Sequence, residues 1–426
     1  MRGLMKYVLL CGLIVNITGC ANNVPGLQRA ERVFPDKKET QNQLQSDSNN
    51  KRLVVWSYYD MTDSTKFFLN NHPEINVIVK QFDYNNIVKQ YTEAFISDQQ
   101  ADQQPDIVLL DIAQIDNFNG LDVFENLDQP KYHPAMLTAE IPSNLIPTLS
   151  SWDGKRLIAI PCGLGGALTF YRADVLADNG FLSDPESVAE YMSTPDKWLG
   201  MAKKLRQNGI YIFQNDTDPI DIASLGTSLF DSELRFNRDG QHFVEALQVA
   251  REVKNADLFF GAKIWDKTAQ EAMRSGKLVM FVMGAWGPDK LKDWVPLQSG
   301  KWRATMLPLK INGNNGGAVA AINKRSANKQ MALEYIKGMM RVVKDGQSDS
   351  YLDGQNPEDL VRTELRNMNT YTPTPLDSKV INYWNDKIRE AVDSEVPAQE
   401  QWKKVSEQVD IIIKEDRSNL LIRKNE

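Results

Sequence analysis

Cysteine and histidine are scarce in this chain. Three of each in 426 residues, at scattered positions, exclude a disulfide framework and make a His/Cys zinc site unexpected. Cys11 and Cys20 fall within the first twenty residues, so Cys162 stands alone in the rest of the chain. Positive charge is also short: 49 Lys and Arg against 56 Asp and Glu give a net charge of −7. That balance excludes the basic surface that nucleic acid requires. Beyond residue 20 no window approaches 18 apolar residues, so no membrane-spanning helix is expected. The Gly-Lys pairs at Gly154, Gly276 and Gly300 are followed by Arg156, Leu278 and Trp302, so no phosphate-binding loop is completed and no ATPase lies here. No cofactor motif is present. What remains is a chain with 42% hydrophobic residues, ample for a large core, and a length that predicts two or three domains at about 150 residues each.

The N-terminus is the most specific local pattern. Arg2 and Lys6 precede an apolar run from Tyr7 to Ile17, which ends in Ile17-Thr18-Gly19-Cys20. The run is too short to span a bilayer and has the form of a cleaved secretory signal. It resembles the bacterial lipoprotein signal, in which the cysteine is lipidated and becomes the first residue of the mature protein. The resemblance implies a signal peptide over residues 1–19 and lipidation at Cys20. Residues 20–50 form a polar tether of about 30 residues, reaching roughly 30 Å. The mature protein is expected outside the cytoplasm, held at the cell membrane by its lipid.

From Arg52 the pattern becomes that of a folded domain. Leu53-Val54-Val55-Trp56, Ile75–Val79 and Pro105–Leu110 read as strands. Ser64–Asn71 and the spacing of Ile87, Val88, Tyr91 and Phe95 read as helices between them. The alternation predicts an α/β fold with a parallel sheet, which binds ligands at the carboxyl ends of its strands. Those ends are Ser57-Tyr58-Tyr59-Asp60 and Asp111. Further on, Trp198–Gln207, Phe243–Lys254, Ala269–Arg274 and Ala327–Val343 are predicted helices and Leu278–Val282 a strand. Two more helices are predicted over residues 379–415.

The order of landmarks along this region resembles the family 1 extracellular solute-binding proteins of ABC importers, of maltodextrin-binding type. The residues that carry the resemblance are Val54-Val55-Trp56, Pro105–Asp111, Leu121 to Asp128, Trp152–Pro161, Phe170–Leu176, Met283-Gly284-Ala285-Trp286, Met306-Leu307-Pro308 and Ala318–Lys324. It implies a two-lobed periplasmic-binding-protein-like fold with a hinge of two or three crossing strands. The crossings are expected near Pro161–Ala167, Asn314–Ala318 and Thr372–Pro375. The N-terminal lobe is then expected over 51–160 and 318–372, and the C-terminal lobe over 161–317 and 373–426.

Candidate ligand residues follow from the chemistry of sugars, whose C–H faces want an aromatic platform and whose hydroxyl edges want carboxylates or amides. Trp286 follows a predicted strand and a Gly-Ala turn, where the resemblance implies a stacking tryptophan. Tyr58, Tyr59, Asp60 and Asp111 lie just past strand ends. Cys162, Gly163 and Gly165 sit at the first crossing and Gly317 at the second, where bare backbone can approach a ligand. The family often has a polar side chain at the first crossing; its absence here puts the usual maltodextrin contacts in doubt. Asp216 and Asp218 lie in an acidic loop that runs to Asp221, able to take hydroxyls or Ca²⁺ but lacking the glycine and glutamate of a full calcium loop. Trp384 could close over the cleft or pack in the core.

The expected function is non-enzymatic. A lipid-anchored monomer is expected to capture a carbohydrate, an oligosaccharide, and to deliver it to ABC permease subunits driven by a separate ATPase. A non-sugar solute is the first alternative. The second is an enzyme on the same fold with Cys162 as nucleophile, as in a thiamine-degrading enzyme of this fold, although no histidine or glutamate lies near Cys162 in sequence.

Overall fold

The computed structural model describes residues 51–96, 104–343 and 349–425. The expected signal peptide, Cys20 and the tether lie outside the described residues. Among the described residues no helix is long and apolar enough to cross a membrane.

Among the described residues seven strands, β1 (Arg52–Ser57), β2 (Asn76–Gln81), β3 (Ile107–Asp111), β4 (Ile160–Arg172), β5 (Met280–Gly284), β6 (Trp302–Thr305) and β7 (Asn314–Ile322), form one sheet path in the order β2-β1-β3-β7-β4-β5, with β6 also paired to β4. The first lobe is built on β1 (Arg52–Ser57), β2 (Asn76–Gln81) and β3 (Ile107–Asp111). These three are parallel, as predicted. All five residues of β3 are buried, which explains its unbroken apolar run; a central strand covered on both faces has no solvent side to mark with polar residues. β2 is the edge strand and is mostly exposed. The sheet is not parallel throughout. β7 (Asn314–Ile322) comes back antiparallel to β3, with Leu109 opposite Ala320.

β4 (Ile160–Arg172) is the long strand that links the lobes. Its first half pairs antiparallel with β7. Its second half pairs with β5 (Met280–Gly284) and β6 (Trp302–Thr305) in the second lobe. β5 starts two residues later than the sequence predicts: Leu278 forms an isolated bridge with Tyr211, Val279 donates to Tyr211 and accepts from Arg172, and the regular register with β4 begins at Met280 opposite Tyr171. Gly165 lies where β4 and β7 approach most closely: a Cβ there would sit 2.8 Å from the Asn315 carbonyl oxygen and 2.9 Å from that of Gly316. A third segment is held from both sides without joining the sheet. Ser228 accepts from the Thr372 N–H, while Thr148 and Asn119 donate to the carbonyl oxygens of Tyr371 and Pro373.

The cores divide along these links. One holds the sheet residues of β1, β3 and β7 with the helix Lys329–Val343. In the second lobe, helices Asp377–Asp393 and Ala398–Asn425 pack on Gln241–Asn255 around Trp384 and Trp402. The segment expected in the first lobe up to residue 372 touches both lobes: Leu365 and Met368 pack on Leu145 and their carbonyls accept from Asn144, while residues 351–364 also meet second-lobe partners. Gln355 exchanges two hydrogen bonds with the backbone of Ala304, the Tyr351 hydroxyl donates to the Val295 carbonyl, and Glu364 accepts from Gly313 N–H.

Candidate functional site

Two adjoining cavities lie beside the crossing strands, of about 190 and 280 Å³. Asp221, Leu225 and Asn315 line both. The larger is walled by Ile112 and Ala113 of the first lobe, by Asn314 to Gly316 of the crossing strand, and by Ser224, Arg238 and Trp384 of the second. The smaller lies within the second lobe apart from Asn315.

The aromatic part is a group of three tryptophans. Trp286 stands at the start of the helix Gly287–Trp294, just past β5. Its indole N–H donates to the Asn315 carbonyl oxygen at 3.4 Å. Trp265 stacks on Trp286, with ring centroids 5.9 Å apart and planes 28° apart, and Trp294 meets Trp265 edge-on at 5.3 Å. Trp265 is 57% exposed and lines the smaller cavity. A large aromatic left open beside a cavity is the arrangement that takes the apolar face of a ligand.

The polar part comes from the loop leading into the helix Asp218–Leu225. Asp218 accepts from the N–H groups of Gln214 (2.7 Å) and Asn215 (3.3 Å). Burial, reinforced by the neighbouring charge of Asp221, pushes its carboxyl up to about 8 against the pull of those N–H groups. Asp221 is reachable by solvent, but into a concavity whose walls remove hydration, and that raises it too; the Thr217 hydroxyl, Lys263 and Arg238 draw it back. Burial and Asp221 thus favour the neutral form of the Asp218 carboxyl, against two backbone N–H donors that favour its charge. Among the described residues no group of three His, Cys, Asp or Glu is placed to hold a metal ion.

The predicted residues divide between the site and other work. Trp286, Asp111 and β7 meet: a Cβ at Gly316 would lie 3.4 Å from the Trp286 indole nitrogen and 3.6 Å from an Asp111 oxygen. Asp111 caps the turn after β3 through the Ala113 N–H, and burial raises its carboxyl despite a hydrogen bond from Tyr84. Tyr58 stacks edge-on with Tyr59 and Tyr84 beside it, and burial holds both Tyr58 and Tyr59 well above the usual phenol range. Asp60 points to solvent and caps the helix Thr62–Asn71 by accepting from the Thr62 N–H and hydroxyl. Asp218 lines the smaller cavity and Asp216 lines neither. Trp384 is 1% exposed, boxed in by Phe236, Phe243 and Trp402, and borders the larger cavity from within the core. Gly163 and Gly317 are paired positions of the crossing strands, opposite Ala318 and Leu164. Cys162 is buried in the first-lobe core, its thiol directed at the Ile160 carbonyl and pushed up to about 12 by burial. Trp265 and Gln214 are not among the sequence candidates, whereas Asn215 opens the acidic loop and Asn315 lies in the expected second crossing. An exposed tryptophan between Lys263 and Asp266, outside any periodic element, was the available signal for the first.

This framework defines a class: a two-lobed α/β binding protein of the kind that serves ABC transporters. The chain belongs to the bacterial extracellular solute-binding protein family, whose model matches residues 65–351. The family works outside the cytoplasm. Solved structures share the fold at low sequence identity. The sugar-binding protein MalE from the phytopathogen Xanthomonas citri matches with a TM-score of 0.71 and 16% identity, over 87% of this chain and 99% of that one. The galacto-N-biose-/lacto-N-biose I-binding protein of an ABC transporter from Bifidobacterium longum, in complex with lacto-N-biose, matches at 0.69 and 16%, over 87% and 98%. The cyclic alpha-maltosyl-1,6-maltose binding protein from Arthrobacter globiformis matches at 0.65 and 14%, over 86% and 100%. No curated protein matches in sequence at a significant level.

Proposed function

We propose that the protein captures a carbohydrate between its lobes and delivers it to an ABC permease. The observation that carries this reading is the juxtaposition of the Trp265–Trp286 shelf with Gln214, Asn215, Asp218, Asp221 and Asn315 around two joined cavities. An indole face suits the C–H face of a pyranose, while carboxyl and amide groups suit its hydroxyl edge. The sugar-binding role of the structural relatives points the same way. Trp286, Asp111 and Asp218 are the sequence candidates retained as ligand contacts, joined by Trp265, Asp221 and Asn315. Tyr58, Tyr59 and Trp384 support the walls.

In this reading residues 1–19 are removed, Cys20 is lipidated, and residues 20–50 tether the binding domain to the outer face of the cell membrane. The lobes meet near residues 160–166 and 314–318, with a third link near 365–375 and the helices from Asp377 onward belonging to the second. The protein acts as a monomer without cofactor, and its permease and ATPase are separate chains. Hinge closure on the sugar supplies the signal for docking. Thermal unfolding against a panel of mono- and oligosaccharides tests the reading. A ligand at about 100 times its Kd adds roughly 2.7 kcal/mol of stability. A rise in Tm with one sugar class is the expected result; no rise with any sugar would reject carbohydrate as the ligand.

A further inference from the structure

We propose that the larger cavity holds a carboxylate of the ligand against Nη1 of Arg238, so that the carbohydrate captured is an acidic sugar of the uronic acid class. The proposal rests on the carbohydrate reading and deepens it.

Arg238 is 6% exposed and lines the larger cavity. It stands just before the helix Gln241–Asn255, with its guanidinium carbon 5.6 Å from the ring centroid of Trp384. Two of its three nitrogens are engaged. Nε donates to the Thr227 carbonyl at 3.1 Å, and Nη2 donates to the carbonyls of Thr227 at 2.8 Å and Ser224 at 3.1 Å. Those carbonyls lie at the C-terminal end of the helix Asp218–Leu225, where the helix dipole favours a cation. Capping accounts for these bonds, but not for Nη1. That nitrogen donates to nothing among the described residues, and it is not one of the unpaired polar atoms sealed from solvent. It therefore keeps accessible surface, with two N–H groups free, on a side chain that forms the cavity wall.

The charge is as unmatched as the nitrogen. A guanidinium stays protonated in a protein, and a buried charge is costly unless an opposite charge pairs with it. Burial pulls Arg238 below its ordinary range, while Tyr371, Asp377 and Asp221 counter this through space, without a hydrogen bond to it. Burial also raises the carboxyls of Asp377 and Asp221, which favours their neutral forms and leaves Arg238 as the charged group of this wall. A hydroxyl oxygen would satisfy an N–H, but only an anion answers the charge. Asp221 in the same cavity opposes a doubly charged phosphate more than a singly charged carboxylate. Ser224, Asn314 and Asn315 line that cavity too and suit the hydroxyls of the ring that carries the acid. Ile112 and Ala113 bring the first lobe to it, so the acidic ring is held where the lobes meet.

The test is isothermal titration of the full chain with disaccharides of glucuronic, galacturonic and mannuronic acid, each beside the neutral disaccharide of the same linkage. The expected result is that one acidic sugar binds roughly 10- to 100-fold more tightly than its neutral counterpart, the value of a hydrogen bond to a charged group. In Arg238→Gln that ratio should fall to near one, and Arg238→Lys, which keeps the charge, should retain part of it. The ratio in the parent protein decides whether the ligand is acidic, so the test stands even where loss of the helix cap destabilises a variant. If neutral sugars bind and no acidic sugar binds more tightly than its counterpart, the acidic ligand is wrong and carbohydrate capture stands. If both variants keep the parent's ratio, Arg238 is not the reader. If no sugar of either kind binds, both readings fall together.

Discussion

The indole N–H of Trp286 donates to the backbone carbonyl of Asn315, tying the aromatic shelf of the second lobe to a strand that crosses between lobes. Gly284 makes the contact possible. A Cβ at that position would lie 2.2 Å from the Asn315 oxygen and 2.5 Å from the Trp286 indole nitrogen. Gly284→Ala must therefore push the indole and strand apart. Overpacking of this kind costs about 1–3 kcal/mol. The expected outcome is a lower Tm together with weakened binding of whichever sugar the thermal panel identifies. An alanine variant that binds like the parent would show that the shelf does not depend on this contact.

Trp265 offers a cleaner test of the shelf, because it is more than half exposed and its loss leaves no core cavity. Trp265→Ala should leave the unfolding free energy within about 0.5 kcal/mol of the parent. Sugar affinity should fall roughly 3- to 10-fold, the value of one aromatic contact at about 0.5–1.5 kcal/mol. Isothermal titration measures the affinity, and a thermal melt of the same preparation measures the stability. Unchanged affinity would move the platform to Trp286 alone.

The first lobe was legible because its strands are apolar runs of the right length. Ile107–Leu110 reads as a strand since every one of those side chains is buried. Trp286 was legible from its place after β5. Trp265 was not, because its role comes from stacking on a residue 21 positions away and leaves no period in the sequence. Asp60 illustrates the opposite case. Its bonds to Thr62 are a local cap that the Asp-x-Thr spacing already spells, and local capping accounts for it before any ligand does.

Cys162 should behave as a core residue. A thiol raised to about 12 and directed at a carbonyl is neither ionised nor exposed at neutral pH. Iodoacetamide should label the folded protein slowly, with a rate that climbs with pH and jumps on unfolding. Cys162→Ala should cost about 1–2 kcal/mol and leave sugar affinity unchanged. Fast stoichiometric labelling near pH 6 would revive the enzyme alternative.

The pH dependence of stability follows from four carboxyl groups. Burial is the leading cause that raises Asp116 to about 6, Glu364 and Asp377 to about 7, and Asp218 to about 8. In the unfolded chain such groups ionise near 4. Between pH 4 and 8 the folded protein therefore holds protons that the unfolded chain has released, and stability falls as pH rises through that window. His242, depressed by burial, opposes this near pH 6.5, but it is one group against these four and against Asp111 and Asp221, which burial also raises. Carboxyls held low, such as Asp174 beside Arg172, act only below pH 4. Urea unfolding should give a stability lower by at least ~2 kcal/mol at pH 8.5 than at pH 5.5. Asp377 accepts from the Thr374 hydroxyl at 2.6 Å, a bond that an asparagine oxygen can keep. Asp377→Asn should then flatten the upper part of the slope without unfolding the protein. A stability that is level or rising from pH 5.5 to 8.5 would mean these carboxyl groups are charged in the fold, and with it the protonated Asp218 of the cavity would have to be abandoned.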